Sequence, residues 1–301
     1  MSKNYVEMLQ ARLEQMLPTP KHGASPKVGE VPELLSNAMR YSLLQGGKRL
    51  RPMMMLSAVE MFGGDVEEAL PYACAIEMIH CYSLIHDDLP GMDNDQLRRG
   101  QPTNHVVFGI GQAILAGDGL LTMAFETMYG AALNSGDARV RAHMLAASEI
   151  ARGAGVRGMV AGQSLDLFLE KRPASKVQDL QFIQDCKTAA LFIYALRAAG
   201  RLCGADEAQL AALEGYGRAF GLLFQTVDDL LDDQGDEVLL GKRVGKDREI
   251  GKLTAVSMYG PGGATALKST FLEEAHAALD IFGEKASYFH DLIEATASRT
   301  A

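Results

Sequence analysis

The residues of this chain best suited to chemistry are six aspartates in two short runs, Asp87-Asp88-Leu89-Pro90-Gly91-Met92-Asp93 and Asp228-Asp229-Leu230-Leu231-Asp232, set 141 positions apart. Both runs sit in strongly apolar, helix-like stretches, where carboxylates rarely remain unless they are paired or bind a metal. Hard divalent cations take oxygen ligands. Mg²⁺ in particular is commonly held by one or two carboxylates together with substrate phosphates, so two such runs point to a shared diphosphate. On an unbroken helix Asp87 and Asp93 would lie about 240° apart and could not share an ion. Pro90-Gly91 breaks the helix and lets the chain curl Asp93, and with it Asp95, back towards the first pair. Asp228 and Asp232 need no such break, because residues four apart already stand one above the other.

Basic groups accompany the acids. Gly46-Gly47-Lys48-Arg49-Leu50-Arg51 places three cations after a flexible glycine pair at the start of a helix, and Arg98-Arg99 follow the first aspartate run. Cations at a helix start oppose the helix dipole, so a bound anion is their better explanation. A third set comprises Lys187-Thr188, then Lys242, Lys246, Arg248 and Lys252 in the glycine-rich segment Gly235 to Lys252. That segment reads equally as a mobile loop that closes over an anion or as a solvated surface loop. Gln163, Asp166 and Gln225 are polar groups on apolar helices, open to both core hydrogen bonding and substrate contact. His80 lies two turns below Asp87 on one helical stripe and is open to the same two readings.

The elements that must carry these groups are helical almost throughout. Apolar residues recur every three or four positions, and hairpin dipeptides flanked by alternating apolar residues are missing. The expected helices are 4–17, 32–44, 51–62, 70–88, 112–133, 139–153, 158–170, 177–202, 207–231, 263–278 and 284–297. That is an all-α chain with too many helices for a simple four-helix bundle. The stretch 18–30 reads as a loop after the N-terminal helix, and no seam divides the rest, so residues 1–301 read as a single domain. Forty-eight per cent hydrophobic content over 301 residues can bury a large core. A net charge of −9 argues against a general nucleic-acid partner. The absence of a long uncharged apolar run or a signal-peptide core argues against membrane insertion and for a cytoplasmic protein. Cys74, Cys81, Cys186 and Cys203 show no metal-binding spacing and read as reduced core thiols. The fifteen methionines read as adaptable core filler.

Taken together, these motifs resemble the trans-polyprenyl diphosphate synthases. The resemblance rests on Gly47-Lys48-Arg49-Leu50-Arg51-Pro52, the run from Ser83 through Asp95, Leu97-Arg98-Arg99-Gly100, Lys187-Thr188, Phe224-Gln225 through Asp232, and Gly241-Lys242-Arg243, in family order across nearly the whole chain. It implies a helical bundle of the isoprenoid synthase type with a central substrate cavity, assembled as a homodimer. It further implies that Asp87 and Asp93, supported by Asp88, hold Mg²⁺ on an allylic diphosphate. Asp228 and Asp232, supported by Asp229, would hold another ion from the opposite side, for three Mg²⁺ in all, with Mn²⁺ as a substitute. Arg98, Lys187, Lys242 and Lys252 would contact the allylic diphosphate. Lys48, Arg51, His80 and Arg99 would bind isopentenyl diphosphate, while Thr188 and Gln225 would line the reacting region. The chain departs from the family at Gly251-Lys252-Leu253-Thr254-Ala255-Val256, where a Tyr-Pro pair commonly follows the threonine. Arg299 alone stands where relatives often carry several C-terminal basic residues, and it receives no substrate contact from the resemblance.

Four residues between Asp88 and Asp93 are similar to bacterial short-chain members, which make farnesyl or geranylgeranyl diphosphate. Ser83 lies one turn beneath Asp87, and Tyr82 lies about 7.5 Å down the helix axis. An aromatic residue there resembles the farnesyl synthases and favours the fifteen-carbon product over the geranylgeranyl or geranyl alternatives. A terpene cyclase would mix Asn, Ser and Glu in its second metal site, and a non-catalytic subunit of a heteromeric synthase would have lost aspartates from one run; neither pattern is present. Tyr82→Ser is expected to lengthen the main product, and an unchanged chain length in a product assay would remove Tyr82 as the floor of the pocket.

Overall fold

The structure, a computed structural model, describes residues 5–19, 25–170, 176–234 and 253–299. Its helices are α1 (Tyr5–Met16), α2 (Glu33–Leu43), α3 (Leu50–Met61), α4 (Val66–Asp87), α5 (Asn104–Phe108), α6 (Ile110–Asn134), α7 (Val140–Ala154), α8 (Met159–Leu169), α9 (Val177–Ile183), α10 (Ala190–Leu202), α11 (Glu207–Gln234), α12 (Ala255–Leu279) and α13 (Ser287–Ala297). A π-helical turn, Gln184–Ala189, joins α9 to α10, and a 3₁₀ segment, Asp280–Ala286, joins α12 to α13. The only strands among the described residues are β1 (Leu97–Arg98) and β2 (Gln101–Pro102), an antiparallel pair with Arg98 opposite Gln101. The all-α expectation therefore holds. Among the described residues no helix is long and apolar enough to cross a membrane.

Several boundaries differ from the sequence pattern for local reasons. Helix α4 starts at Val66, not Leu70, because the Asp65 side chain accepts from the Glu67 N–H at 2.9 Å and caps it. Helix α12 starts at Ala255, eight residues early, behind a capping box in which Thr254 and Ser257 exchange hydrogen bonds of 2.9 and 3.0 Å. It bends at Gly260, whose φ is +69°, ahead of Pro261. The expected helix 177–202 is interrupted by the π-helical turn.

The chain divides into two compact units, Met1–Leu56 with Asp65–Ala147 and Ser57–Gly64 with Ser148–Ala301. In the first, α4 is apolar on all sides and nearly every residue from Ala69 to Ile85 is buried, as expected of a central helix. It packs against α1, α2 and α6. The Tyr72 hydroxyl meets His143 Nδ1 at 3.0 Å, and His143 Nε2 meets Glu68 at 2.7 Å. Arg139 donates to both Glu68 oxygens at 2.9 and 2.8 Å, and its hydrogen bonds and charge hold the Glu68 carboxyl below its usual range.

In the second unit α11 is central and packs against α10, α12 and α13. Phe220 is fully buried, with its ring centre 5.0 Å from that of Phe192 and 6.0 Å from that of Tyr216, whose hydroxyl donates to the Phe289 carbonyl at 2.9 Å. Truncating an aromatic side chain in such a cluster leaves a cavity as well as losing burial. Phe220→Ala is expected to cost roughly 3–5 kcal/mol, read as a lowered denaturation midpoint.

Candidate functional site

Each aspartate run lies at the C-terminal end of its unit's central helix. Asp87 is the last residue of α4, and Asp228 to Asp232 lie in the last two turns of α11, which ends at Gln234. A helix C-terminus carries partial negative charge, so position and burial both disfavour ionised carboxylates there.

In the first unit the chain turns back as Pro90-Gly91 suggested. The Asp93 N–H donates to the Asp87 carbonyl at 2.8 Å, and the Met92 and Asn94 N–H groups donate to the Leu89 carbonyl at 2.8 and 3.2 Å. Asp88 is buried, and burial raises its carboxyl above the usual range despite the opposing effect of Arg98. Arg98 holds it in a fork, Nη2 at 2.6 Å and Nε at 2.9 Å from Oδ1. The strand pair makes this possible. Arg99 and Gly100 have φ of +54° and +76°, a two-residue hairpin turn that returns the chain between β1 and β2. Arg-Gly is a weak hairpin signal, and only Gly100 at the second turn position could have revealed it from sequence.

The same hairpin brings Arg99 to the glycine pair, where its Nη1 donates to the Gly46 carbonyl. Gly47 has φ of +129°, a backbone conformation that favours glycine, and a Cβ there would stand 2.6 Å from Arg99 Nη1, so a side chain would also displace the guanidinium. Arg49 departs from expectation. It is buried, its Nη1 pairs with Glu77 and its Nη2 donates to the Leu43 carbonyl at 2.6 Å, so it is not a third surface cation for an anion. Its φ of +47° costs about 1–2 kcal/mol for a residue with a Cβ. Gln45, Arg49, His80, Asp88, Arg98 and Arg99 all line one cleft. Lys48 is exposed beside it in sequence, and Arg51 falls in the first turn of α3.

His80 is held neutral. Desolvation first, then the charges of Arg51, Arg99, Arg98 and Arg49, push its pKa well below the usual histidine range. Ser83 is half-buried and donates to the His80 carbonyl at 2.9 Å. Tyr82 is buried, edge-on to His86 with ring centres 5.7 Å apart. His86 Nε2 lies 3.1 Å from the Ile114 carbonyl, and a Cβ on Gly117 of α6 would run into its ring.

In the second unit Lys187 and Thr188 ride on the π-helical turn, a feature often found at functional sites. The turn is pressed between helices, for a Cβ on Gly162 of α8 would collide with the Lys187 backbone and one on Gly221 of α11 with the Ala189 backbone. Lys187 Nζ donates to Asp166 at 2.6 Å, which resolves one ambiguity of the sequence: Asp166 is a charge partner. Thr188 donates to Gln225 Oε1 at 3.0 Å, Gln225 Nε2 donates to Asp229 at 2.8 Å, and the Ala255 N–H donates to the other Asp229 oxygen at 2.8 Å. Asp229 therefore anchors the start of α12 at the position where the family resemblance led to the expectation of a Tyr-Pro pair, a link no short-range pattern announces. Asp166, Lys187, Thr188, Gln225, Asp229 and Thr254 line one pocket. Arg299 Nη1 lies 3.1 Å from Asp228 Oδ1, with its guanidinium 5.2 Å from the Phe224 ring centre. Gln163 has both side-chain polar atoms buried without a hydrogen-bond partner. Lys242 and Lys252, with the whole segment Gly235 to Lys252, lie outside the described residues.

Among the described residues no group of three or more His, Cys, Asp or Glu side chains stands at metal-coordinating range. The donor chemistry nonetheless fits Mg²⁺, since each run offers only carboxylate oxygens and Asp93 is folded back onto Asp87. Arg98 and Arg299 meanwhile supply positive charge to Asp88 and Asp228.

The polyprenyl synthetase family matches residues 32–285. A farnesyl diphosphate synthase of Geobacillus stearothermophilus is 41% identical over 297 residues, covering 96% of this chain and 99% of the other. Geranylgeranyl pyrophosphate synthase 9 of Arabidopsis thaliana, a chloroplast protein, is 46% identical over 250 residues, 82% of this chain and 69% of the other. Among solved structures, an FPP/GFPP synthase of Zymomonas mobilis superposes with a TM-score of 0.83 at 32% identity, covering 97% of this chain and 95% of that one.

Because His80 is neutral when folded and binds a proton below about pH 6.5 when unfolded, its contribution to stability is unfavourable below that pH and vanishes above it. Stability should therefore fall as pH drops from about 6.5 towards 5, and His80→Gln should flatten that slope in denaturant titrations; an identical slope would contradict a neutral His80.

Proposed function

The chain belongs to the polyprenyl synthetase family and is a short-chain prenyltransferase, and from that premise we propose that it condenses isopentenyl diphosphate with dimethylallyl or geranyl diphosphate to make chiefly farnesyl diphosphate. The observation that carries the proposal is an acidic turn and an arginine-lined cleft joined in one unit by the Arg98–Asp88 fork. The family match spans both units, which supports treating them as one polyprenyl synthase domain.

Asp87, Asp93, Asp228 and Asp232 are the proposed Mg²⁺ ligands. When bound, Mg²⁺ would neutralise charge on the departing diphosphate. Asp88 fixes the Arg98 side chain in the first unit, and Asp229 and Asp166 fix Gln225 and Lys187 in the second. Lys242 and Lys252 keep the allylic contacts that the family resemblance assigns them. Lys48, Arg51, Arg99 and neutral His80 bind the second substrate, His80 through an N–H that needs no extra proton. The C–O bond of the allylic diphosphate breaks, its electron pair leaving with diphosphate and an allylic cation remaining. The double bond of isopentenyl diphosphate attacks that cation, and the released diphosphate takes the proton lost from the new chain. No serine or cysteine nucleophile is required. Thr188 and Gln225, locked to each other and to Asp229, line the reacting region without rotational freedom, and apolar walls exclude the water that would trap the cation.

Tyr82 supports the farnesyl product, being a buried aromatic residue braced by His86. A geranylgeranyl product is the second reading, favoured by the plant relative's name. The chain would work in the cytoplasm as a homodimer. Ile110, Ile114 and Leu115 of α6, with Val106 and Val107 of α5, are exposed apolar side chains of the kind a second copy covers.

Purified protein given Mg²⁺, isopentenyl diphosphate and allylic diphosphates of several lengths is expected to yield a fifteen-carbon diphosphate, with chelation stopping the reaction. Asp87→Ala and Asp228→Ala should each lower kcat by about a thousandfold. No condensation product, or near-normal turnover in either variant, would overturn the proposal.

A further inference from the structure

Arg49 lies between Lys48 and Arg51, two cations proposed to bind isopentenyl diphosphate, yet its own guanidinium is buried on Glu77 of α4 and on the Leu43 carbonyl at the end of α2. We infer that Arg49 and Glu77 form a positioning pair that sets the isopentenyl diphosphate cations in place; this rests on the prenyltransferase reading above.

A buried ion pair is a weak source of net stability, because the cost of desolvating two charges offsets their attraction. Two apolar side chains would hold α2 and α4 together as well. What an apolar pair cannot do is dictate the path of the loop. Arg49 adopts a left-handed backbone, and it persists there because its side chain is tied at two points. Gly46 and Gly47, with φ of +82° and +129°, turn the chain just before it, and the Gly46 carbonyl is taken by Arg99. With Arg49 directed inward, its neighbour Lys48 is exposed and Arg51 enters the first turn of α3. Glu77 also stands three residues before His80 on α4; burial pushes the Arg99 guanidinium below its usual range, and the Glu77 charge opposes that shift. One carboxylate thus fixes Arg49, supports Arg99 and neighbours His80. In sequence it is a lone acid inside the apolar run from Ala69 to Ile85.

The test uses the full chain and the double variant Arg49→Met with Glu77→Leu, whose apolar side chains need no partner. It should fold with a melting temperature near that of the wild type. Its KM for isopentenyl diphosphate should rise about tenfold or more, while its KM for the allylic substrate and its kcat change by less than about threefold. Calorimetric titration with isopentenyl diphosphate should show the same weakening. If the double variant does not fold, Glu77→Gln, which keeps the shape and one acceptor, is measured for the same split. An unchanged KM for isopentenyl diphosphate in a folded variant, or equal losses for both substrates, would overturn the positioning pair. Wild-type protein that makes no product would instead overturn the prenyltransferase reading.

Discussion

Everything around the candidate site answers one constraint, the placing of carboxylates at the negative ends of two buried helices. Asp87 ends α4 and Asp228 to Asp232 lie near the end of α11, where the helix dipole and the low dielectric both oppose negative charge. The structure meets the opposition with whatever positive or donating group lies within reach of each residue. Asp88 receives the Arg98 fork, Asp228 receives Arg299, and Asp229 is held by an amide of Gln225 and a backbone N–H of α12. Such partners offset part of the cost of placing carboxylates there and leave a set of oxygen donors that a hard cation would bind.

The basic cleft presents the inverse problem. Several arginines stand close to a histidine, and mutual repulsion is relieved by keeping that histidine neutral and by burying Glu77 beneath it. The surplus positive charge has an evident use, because a diphosphate would neutralise it. Backbone conformation is spent to assemble the cleft: Arg49 and Arg99 both accept positive φ, beside Gly46, Gly47 and Gly100. Strain of this kind gathers where function requires a geometry that regular secondary structure does not provide.

In the second unit the same logic is carried by close packing. Gly162 and Gly221 allow α8 and α11 to approach the π-helical turn so closely that any side chain would force them apart. That approach brings Lys187 to Asp166 and Thr188 to Gln225. The extra residue that widens the turn is invisible to a periodicity of 3.6, which is why 177–202 read as one uniform helix.

From the amino-acid order alone the all-α class, nearly every helix, the two acidic runs and the break at Pro90-Gly91 were legible, because each depends on spacing along one element and on the local properties of Pro, Gly and apolar residues. The family resemblance was legible for the same reason, since its motifs are short and contiguous. Tertiary structure decided which charges meet. Arg49 and Lys48 are adjacent and chemically alike, yet one is buried against Glu77, 28 residues away, and the other is exposed. Asp229 and Asp228 differ as sharply, one anchoring α12 and the other facing Arg299, 71 residues on. Partners so distant are set by how helices pack, and packing depends on side-chain volumes and backbone approach across the whole unit, which no local spacing encodes.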